Sequence, residues 1–388
     1  TGIEVGKVYF HFILLLNWFL IAIGFLFLIL IIGVWGLKAK SDQDKKITTY
    51  ANQLVLVQEQ INSAITTSRF DKDRATTMLN DAEKQAIAVY NSGLYKAKAG
   101  ELLQSIADTR DKMDGVIHPK FEQLGDLTTK RANVSALGLI ELGNQIYAYE
   151  YNALYPLLGG KLANPLTIDD NEKVVSAVGY DDQGTILFLT ATGKILELKN
   201  ERINMLTTVD GNFKKGTVLK AYGNKIYILD RAGNQIWRYV RHRDNFGPAQ
   251  AYATGVNLSK AVDFAIDGNI YVLNNDGSIM KLYQGNLEPL PIKRHPTKPM
   301  TNPTKIYTNA DMNQVYILEP SQNRILVYEK DSRSGGLNYE NQYIVDELTN
   351  LQDIYVDKNT NMLYLLTKTG IYRTSLAQAT TTTAKSLF

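Results

Sequence analysis

Hydrophobic and polar positions along this chain follow three regimes in turn. From Val8 to Leu37 there is no alternation at all: VYFHFILLLNWFLIAIGFLFLILIIGVWGL runs 30 residues without a formal charge, between Lys7 and Lys38. About 20 apolar residues in a helix cross a bilayer core, so this run predicts a transmembrane helix over 8–37, with 1–7 as its flank and lipid as its partner. The apolar core of a signal peptide is shorter, about 7–15 residues. Tyr9 and Trp35 fall near the ends, where interfacial aromatics sit, and His11 is expected at the interface rather than in chemistry.

The second regime is helical. Ile47, Ala51, Leu54, Ile61 and Ile65 recur along one face, interrupted by Gln58. Ser68–Asp71 reads as a turn with Asp71 as N-cap of a second helix carrying Ala75, Met78, Leu79, Ala82, Ala86 and Val89. After Asn91-Ser92-Gly93, a third stripe holds Leu102, Leu103, Ile106, Met113, Val116 and Ile117. All ten prolines lie at Pro119 or later, which marks a boundary. The reading is an α-helical hairpin stalk over 38–117, its stripes packed on one another rather than in a parallel coiled coil.

The third regime alternates with period two inside a repeat of about 40 residues. An apolar strand recurs as QIYAY, TILFL, KIYIL, NIYVL, QVYIL and MLYLL, ending at 149, 189, 229, 273, 318 and 366. Polar turns such as Arg231-Ala232-Gly233-Asn234 and Asn275-Asp276-Gly277 lead into the next strand. An inner strand precedes each core strand (VVSAVGY, TVLKAY, AVDFAI, TKIYT, LQDIYV), and most repeats add a more polar outer one. Six near-equal repeats predict a mainly β fold: a six-bladed β-propeller over 118–378, followed by a tail over 379–388. The last repeat lacks an outer strand, and Phe121–Leu127 stands where one is needed, so 118–130 is expected to close the ring.

Composition narrows the chemistry. Zero cysteine excludes thiol catalysis, zinc fingers, iron–sulfur clusters and disulfides. A net charge of +3 argues against a nucleic-acid partner. There is no H-E-x-x-H, G-x-S-x-G, P-loop or Rossmann fingerprint. The expectation is a binding module with no catalytic residue, metal or cofactor, although blades can assemble a metal site from single residues that spacing does not reveal.

The phrases GNKIYILDRAGNQIWRYV and MNQVYILEPSQNRILVY resemble the NHL class of six-bladed propellers, over about 250 residues. That resemblance implies binding of proteins, nucleic acids or ligands, with a few lyases or lactonases among the relatives. A span followed by a propeller is also similar to the sensor half of bacterial membrane kinases, and to membrane proteins with a PP2C-phosphatase-like domain ahead of the span. It implies an upstream cytoplasmic signalling domain. A first residue of Thr1 reads as a fragment or processed product. Lys38, Lys40, Lys45 and Lys46 against Lys7 would alone put the propeller in the cytoplasm. Because the upstream flank is missing from that count, the expected placement is a single-pass cell-membrane protein with the propeller outside the cytoplasm. Its partner would be a protein or an anionic envelope polymer at the propeller loops. The alternatives are an anchored metal-dependent enzyme and a cytoplasm-facing scaffold.

Candidate binding residues follow from the same pattern. Lys220, Asp263, Lys305 and Asp353 are polar within apolar inner strands, where they either pair around the channel or grip a polar ligand. Arg238, Arg241, His242 and Arg243 form one basic run, and Lys293, Arg294, His295 and Lys298 another; Arg241, Arg243, Lys293 and Arg294 are the ligand candidates among them. Glu150, Asp230, Asn274 and Glu319 share one place after the core strand, and there a turn-capping role is expected.

Overall fold

The computed structural model describes residues 2–168 and 171–376, with side chains from Trp18 onward. The tail expected over 379–388 and the side chains of Lys7, Tyr9 and His11 lie outside the described residues. The chain divides into two compact units between Met113 and Asp114.

In the first unit, α1 (Gly2–Thr67), α2 (Lys72–Asn91) and α3 (Lys96–Met113) share one core. Leu54, Val57, Ile61 and Ala64 of α1 pack with Ala75, Leu79, Ala82, Ala86 and Val89 of α2 and with Ala99, Leu102 and Ile106 of α3. The many alanines let the helices approach closely. Each fully buried Leu or Ile contributes about 1.5–3 kcal/mol. Asp71 Oδ1 accepts the main-chain N–H of Arg74 at 2.9 Å and so caps α2. α1 runs unbroken through Leu37 and Lys38, where the apolar run gives way to the expected stalk. Its charged turns at 38–46 favour a helix as much as the apolar run does. From Trp18 to Leu37 every large apolar side chain of α1 is exposed.

The second unit is a six-bladed β-propeller. From the inner strand outward, blade 1 spans Gly138–Thr167, blade 2 Val174–Leu206, blade 3 Val218–Ala251, blade 4 Ala261–Glu288 and blade 5 Lys305–Ile344. Blade 6 has three strands, Leu351–Asp357, Met362–Thr367 and Gly370–Ser375, and its fourth comes from the other end of the propeller sequence: Glu122–Asp126 pairs antiparallel with Gly370–Arg373. The inner strands adjoin in sequence order, and that of blade 6 meets that of blade 1, so the ring is closed.

Val116 and Ile117, expected on the third helical stripe, lie beyond the end of α3. They pair in parallel with Gln342 and Tyr343 on the outer strand of blade 5. Gly115, at φ 59°, makes the turn that stops the helix. Asp114 Oδ1 accepts Thr297 N and Oγ1, and Tyr339 Oη donates to the Asp114 carbonyl, fixing the entry point. Ile292–Lys293 pairs along the same strand, so the long outer edge of blade 5 is covered.

Candidate functional site

The six inner strands enclose a channel of about 390 Å³. Cross-strand register sorts its lining into layers. The residues that pair with core-strand positions 149, 189, 229, 273, 318 and 366 are Gly138, Ser176, Val218, Asp263, Lys305 and Asp353, one from each blade. Three of the four polar inner-strand candidates therefore share one layer, and Lys220 lies two residues further along its strand, opposite Tyr227.

Even and odd blades differ in this layer. In blades 2, 4 and 6 a register shift falls just before Ser176, Asp263 and Asp353. Such a bulge re-aims one side chain out of the pleat. Each of the three then accepts a main-chain N–H from the next blade: Ser176 Oγ from Leu219 at 2.9 Å, Asp263 Oδ2 from Ile306 at 3.0 Å, and Asp353 Oδ2 from Leu139 at 2.9 Å. The residue that matches them in blade 1 is Gly138, where a Cβ would stand 2.8 Å from Asp353 Oδ2 and 2.7 Å from Tyr149 Oη. A glycine there lets blades 6 and 1 approach.

Positive charge in the channel is less well engaged. Lys220 Nζ lies 3.3 Å from Asp263 Oδ1, an oxygen that takes no hydrogen bond. Lys305 has no hydrogen-bond or ion-pair partner among the described residues. Burial opposes its charge, but Asp353, Asp263 and Tyr149 outweigh that and hold its pKa above the ordinary lysine value. Burial raises the Tyr149 phenol in turn.

Toward the other end of the inner strands the charged residues in the lining are acidic, Glu141, Asp181 and Asp311. Burial raises the carboxyl of Glu141, and the like charges of Asp181 and Asp357 add to that rise. Tyr307 and Tyr355 stack edge to face beside it, with centroids 5.6 Å apart, and Tyr307 Oη donates to Val356 O at 3.3 Å. Among the described residues no three His, Cys, Asp or Glu side chains converge as metal ligands would.

The two basic runs do not assemble into single patches. Arg241 is buried between blades 2 and 3, its Nη1 3.1 Å from Glu197 Oε1 and its guanidinium over the Phe246 ring. Arg238 donates twice to Gln250 Oε1. Arg243 and Arg294 are exposed turn residues at φ 56° and 58°, and Lys293 pairs with Asp331 at 2.9 Å. The residues after the core strands stabilise turns and seams. Asp230 accepts Gly233 N and Trp237 Nε1, Glu319 accepts Thr301 N and Arg324 Nε, and Glu150 accepts Arg131 Nη1 and Tyr155 Oη.

Ser176, Tyr149 and Glu141 line the channel, Gly138 stands in the Lys305 layer by register, and none of the four was singled out by sequence pattern. Counting back across each hairpin from the repeat ends would have found Ser176 and Gly138. Nothing local marks Glu141, whose setting depends on two other blades.

The fold defines the class: a closed six-bladed β-propeller. No protein-family profile matches the chain, and no curated protein sequence matches it. Solved structures do. A gluconolactonase from Xanthomonas campestris aligns over 67% of this chain and 90% of its own, with a TM-score of 0.50 and 12% identity. PorZ, a surface component of the type-IX secretion system of Porphyromonas gingivalis, aligns over 66% of this chain but only 38% of its own, with a TM-score of 0.41 and 15% identity. A putative oxidoreductase (glucose dehydrogenase) from Thermus thermophilus aligns over 66% of this chain and 99% of its own, with a TM-score of 0.45 and 12% identity. At these identities the likeness is one of fold, and propellers of this kind include enzymes and non-enzymes alike.

Proposed function

We propose that this chain is a membrane-anchored binding module, whose propeller is held outside the cytoplasm and engages a protein or an anionic envelope polymer through its loops. The observation that carries the anchor is the uncovered stretch of α1. An apolar surface of that extent, exposed along the helix from Trp18 to Leu37, requires a covering that water does not provide. Lipid supplies it, since the stretch contains no charged residue and exceeds the length needed to span. The same helix continues into a packed helical unit, which favours a retained anchor over a cleaved leader.

Binding rather than turnover is supported by the channel. Two of its carboxylates, Asp263 and Asp353, accept main-chain amides of the neighbouring blades, which suits a part in holding the ring together. Exposed Arg243, Arg294 and Lys293 offer cations at the loops. An enzymatic reading would draw on the gluconolactonase likeness, which extends to the fold alone.

The test is protease shaving of intact cells expressing the protein with a C-terminal tag, with a cytoplasmic marker followed in parallel. Digestion of the tagged propeller while the marker survives is the expected result. Protection that ends only on lysis would overturn the external placement and favour a cytoplasmic scaffold.

A further inference from the structure

The proposed loop contacts leave the channel unused, and charge is distributed unevenly along it: lysines stand among carboxylates at one level, and acidic residues line the other. The Lys305 ammonium has no acceptor among the described residues, and Lys220, two residues further along its own strand, reaches back with its ammonium to Asp263 Oδ1 in the Lys305 layer, at 3.3 Å. The carboxylates near them do not provide the missing hydrogen bonds. Both oxygens of Asp353 accept main-chain N–H groups, from Leu139 and Ile354, and Asp263 Oδ2 accepts that of Ile306. An ammonium lining a cavity and lacking acceptors is satisfied when an oxyanion enters.

Three positions along the strand from Gly138, in the layer of Lys305, comes Glu141. At about 3.4 Å per residue this is a step of roughly 10 Å along the channel. Asp181 lines the same cavity there, Asp357 lies close enough to raise the Glu141 carboxyl, and the Tyr307–Tyr355 pair flanks them. A simple anion arriving at that end would be repelled. A cation would be attracted by the carboxylates and by the aromatic faces. A ligand that suits both levels carries its charges at opposite ends.

We propose that the channel is a binding site for a small linear zwitterion, an ω-amino acid or lysine-like molecule, with its carboxylate at Lys305 and Lys220 and its ammonium at Glu141 and Asp181. The site is separate from the loops, so it stands or falls independently of the membrane placement above. Lys305 and Glu141 act as binding residues and no bond is made or broken.

The experiment is isothermal titration of the detergent-solubilised full chain with 6-aminohexanoate, alongside hexanoate and hexylamine. The zwitterion is expected to bind at least about tenfold more tightly than either single-charge analogue. Lys305→Met and Glu141→Gln should each weaken it by about tenfold or more, and Lys98→Met, on an exposed pair with Glu101 in α3, should not. Should Lys305→Met fail to fold, Lys220→Met, at a more open position, reads the same end of the site. Equal binding of hexanoate or hexylamine, unchanged binding in these variants, or no binding up to about 10 mM would each overturn the proposal.

Discussion

Arg324 and Glu319 show what a buried charge does when its partners are complete. The side chains are 2% and 0% exposed, and Arg324 Nε meets Glu319 Oε2 at 2.7 Å while its other nitrogens donate to Gln342 and to the carbonyls of Lys298 and Pro299. Arg324→Met would strand the carboxylate, and a loss of about 3–5 kcal/mol in urea unfolding is expected. Burial pushes the Glu319 carboxyl up, but the Thr301 N–H, Arg324 and the Asn302 N–H outweigh it and hold the pKa below 4.5. A depressed carboxyl contributes stability that is fully present above that value and is lost as pH falls below it. Glu319→Gln should therefore flatten the acid limb of urea midpoints measured from about pH 3 to 6. Sequence pattern picked out Glu319 as one of four equivalent acceptors. It gave no sign that Arg324 is the largest fully buried side chain, because that depends on loop carbonyls from 298 and 299 folding over it.

Among the elements, the inner, core and outer strands of the propeller were legible because a two-residue period repeats six times with turn residues between. The helices were legible from their stripes, but not the end of α3, since apolar Val116 and Ile117 continue the helical spacing while pairing as a strand. Local pattern does not separate those outcomes; the waiting edge of blade 5 decides. Glu122–Asp126 carries a further consequence. A chain beginning at Leu127 would leave blade 6 with an open edge and lose the Glu122–Arg373 pair and the ladder to Gly370–Tyr372. At about 1 kcal/mol per net hydrogen bond, a loss of roughly 3–5 kcal/mol is expected, with self-association on size-exclusion chromatography. Gly138→Ala belongs to the same seam: a methyl 2.8 Å from Asp353 Oδ2 must push blade 1 away, and a loss of about 1–3 kcal/mol by thermal melting is expected.

For the molecule as a whole, the apolar run was the plainest signal in the sequence, and the structure leaves it uncovered. On the anchor proposed above, replacing Phe25 and Leu28 together by Lys should cost about 2.5–3.5 kcal/mol per residue at a bilayer centre and shift the protein from the pellet toward the supernatant on membrane fractionation. The channel was half legible, because charges in inner strands are visible one at a time whereas their common layer follows from register. That layer alternates. Ser176, Asp263 and Asp353 accept main-chain amides across the seams of blades 2 and 3, 4 and 5, and 6 and 1, whereas the other three seams are bridged from side-chain tips, Tyr149 to Ser176, Lys220 to Asp263 and Tyr307 to the Val356 carbonyl. Main-chain amides are thus gripped by a neighbouring blade at every second seam. In deuterium the amides of Leu219, Ile306 and Leu139 should be the slowest along their inner strands to exchange, so that the seams of the ring are told apart in time although they look alike in space.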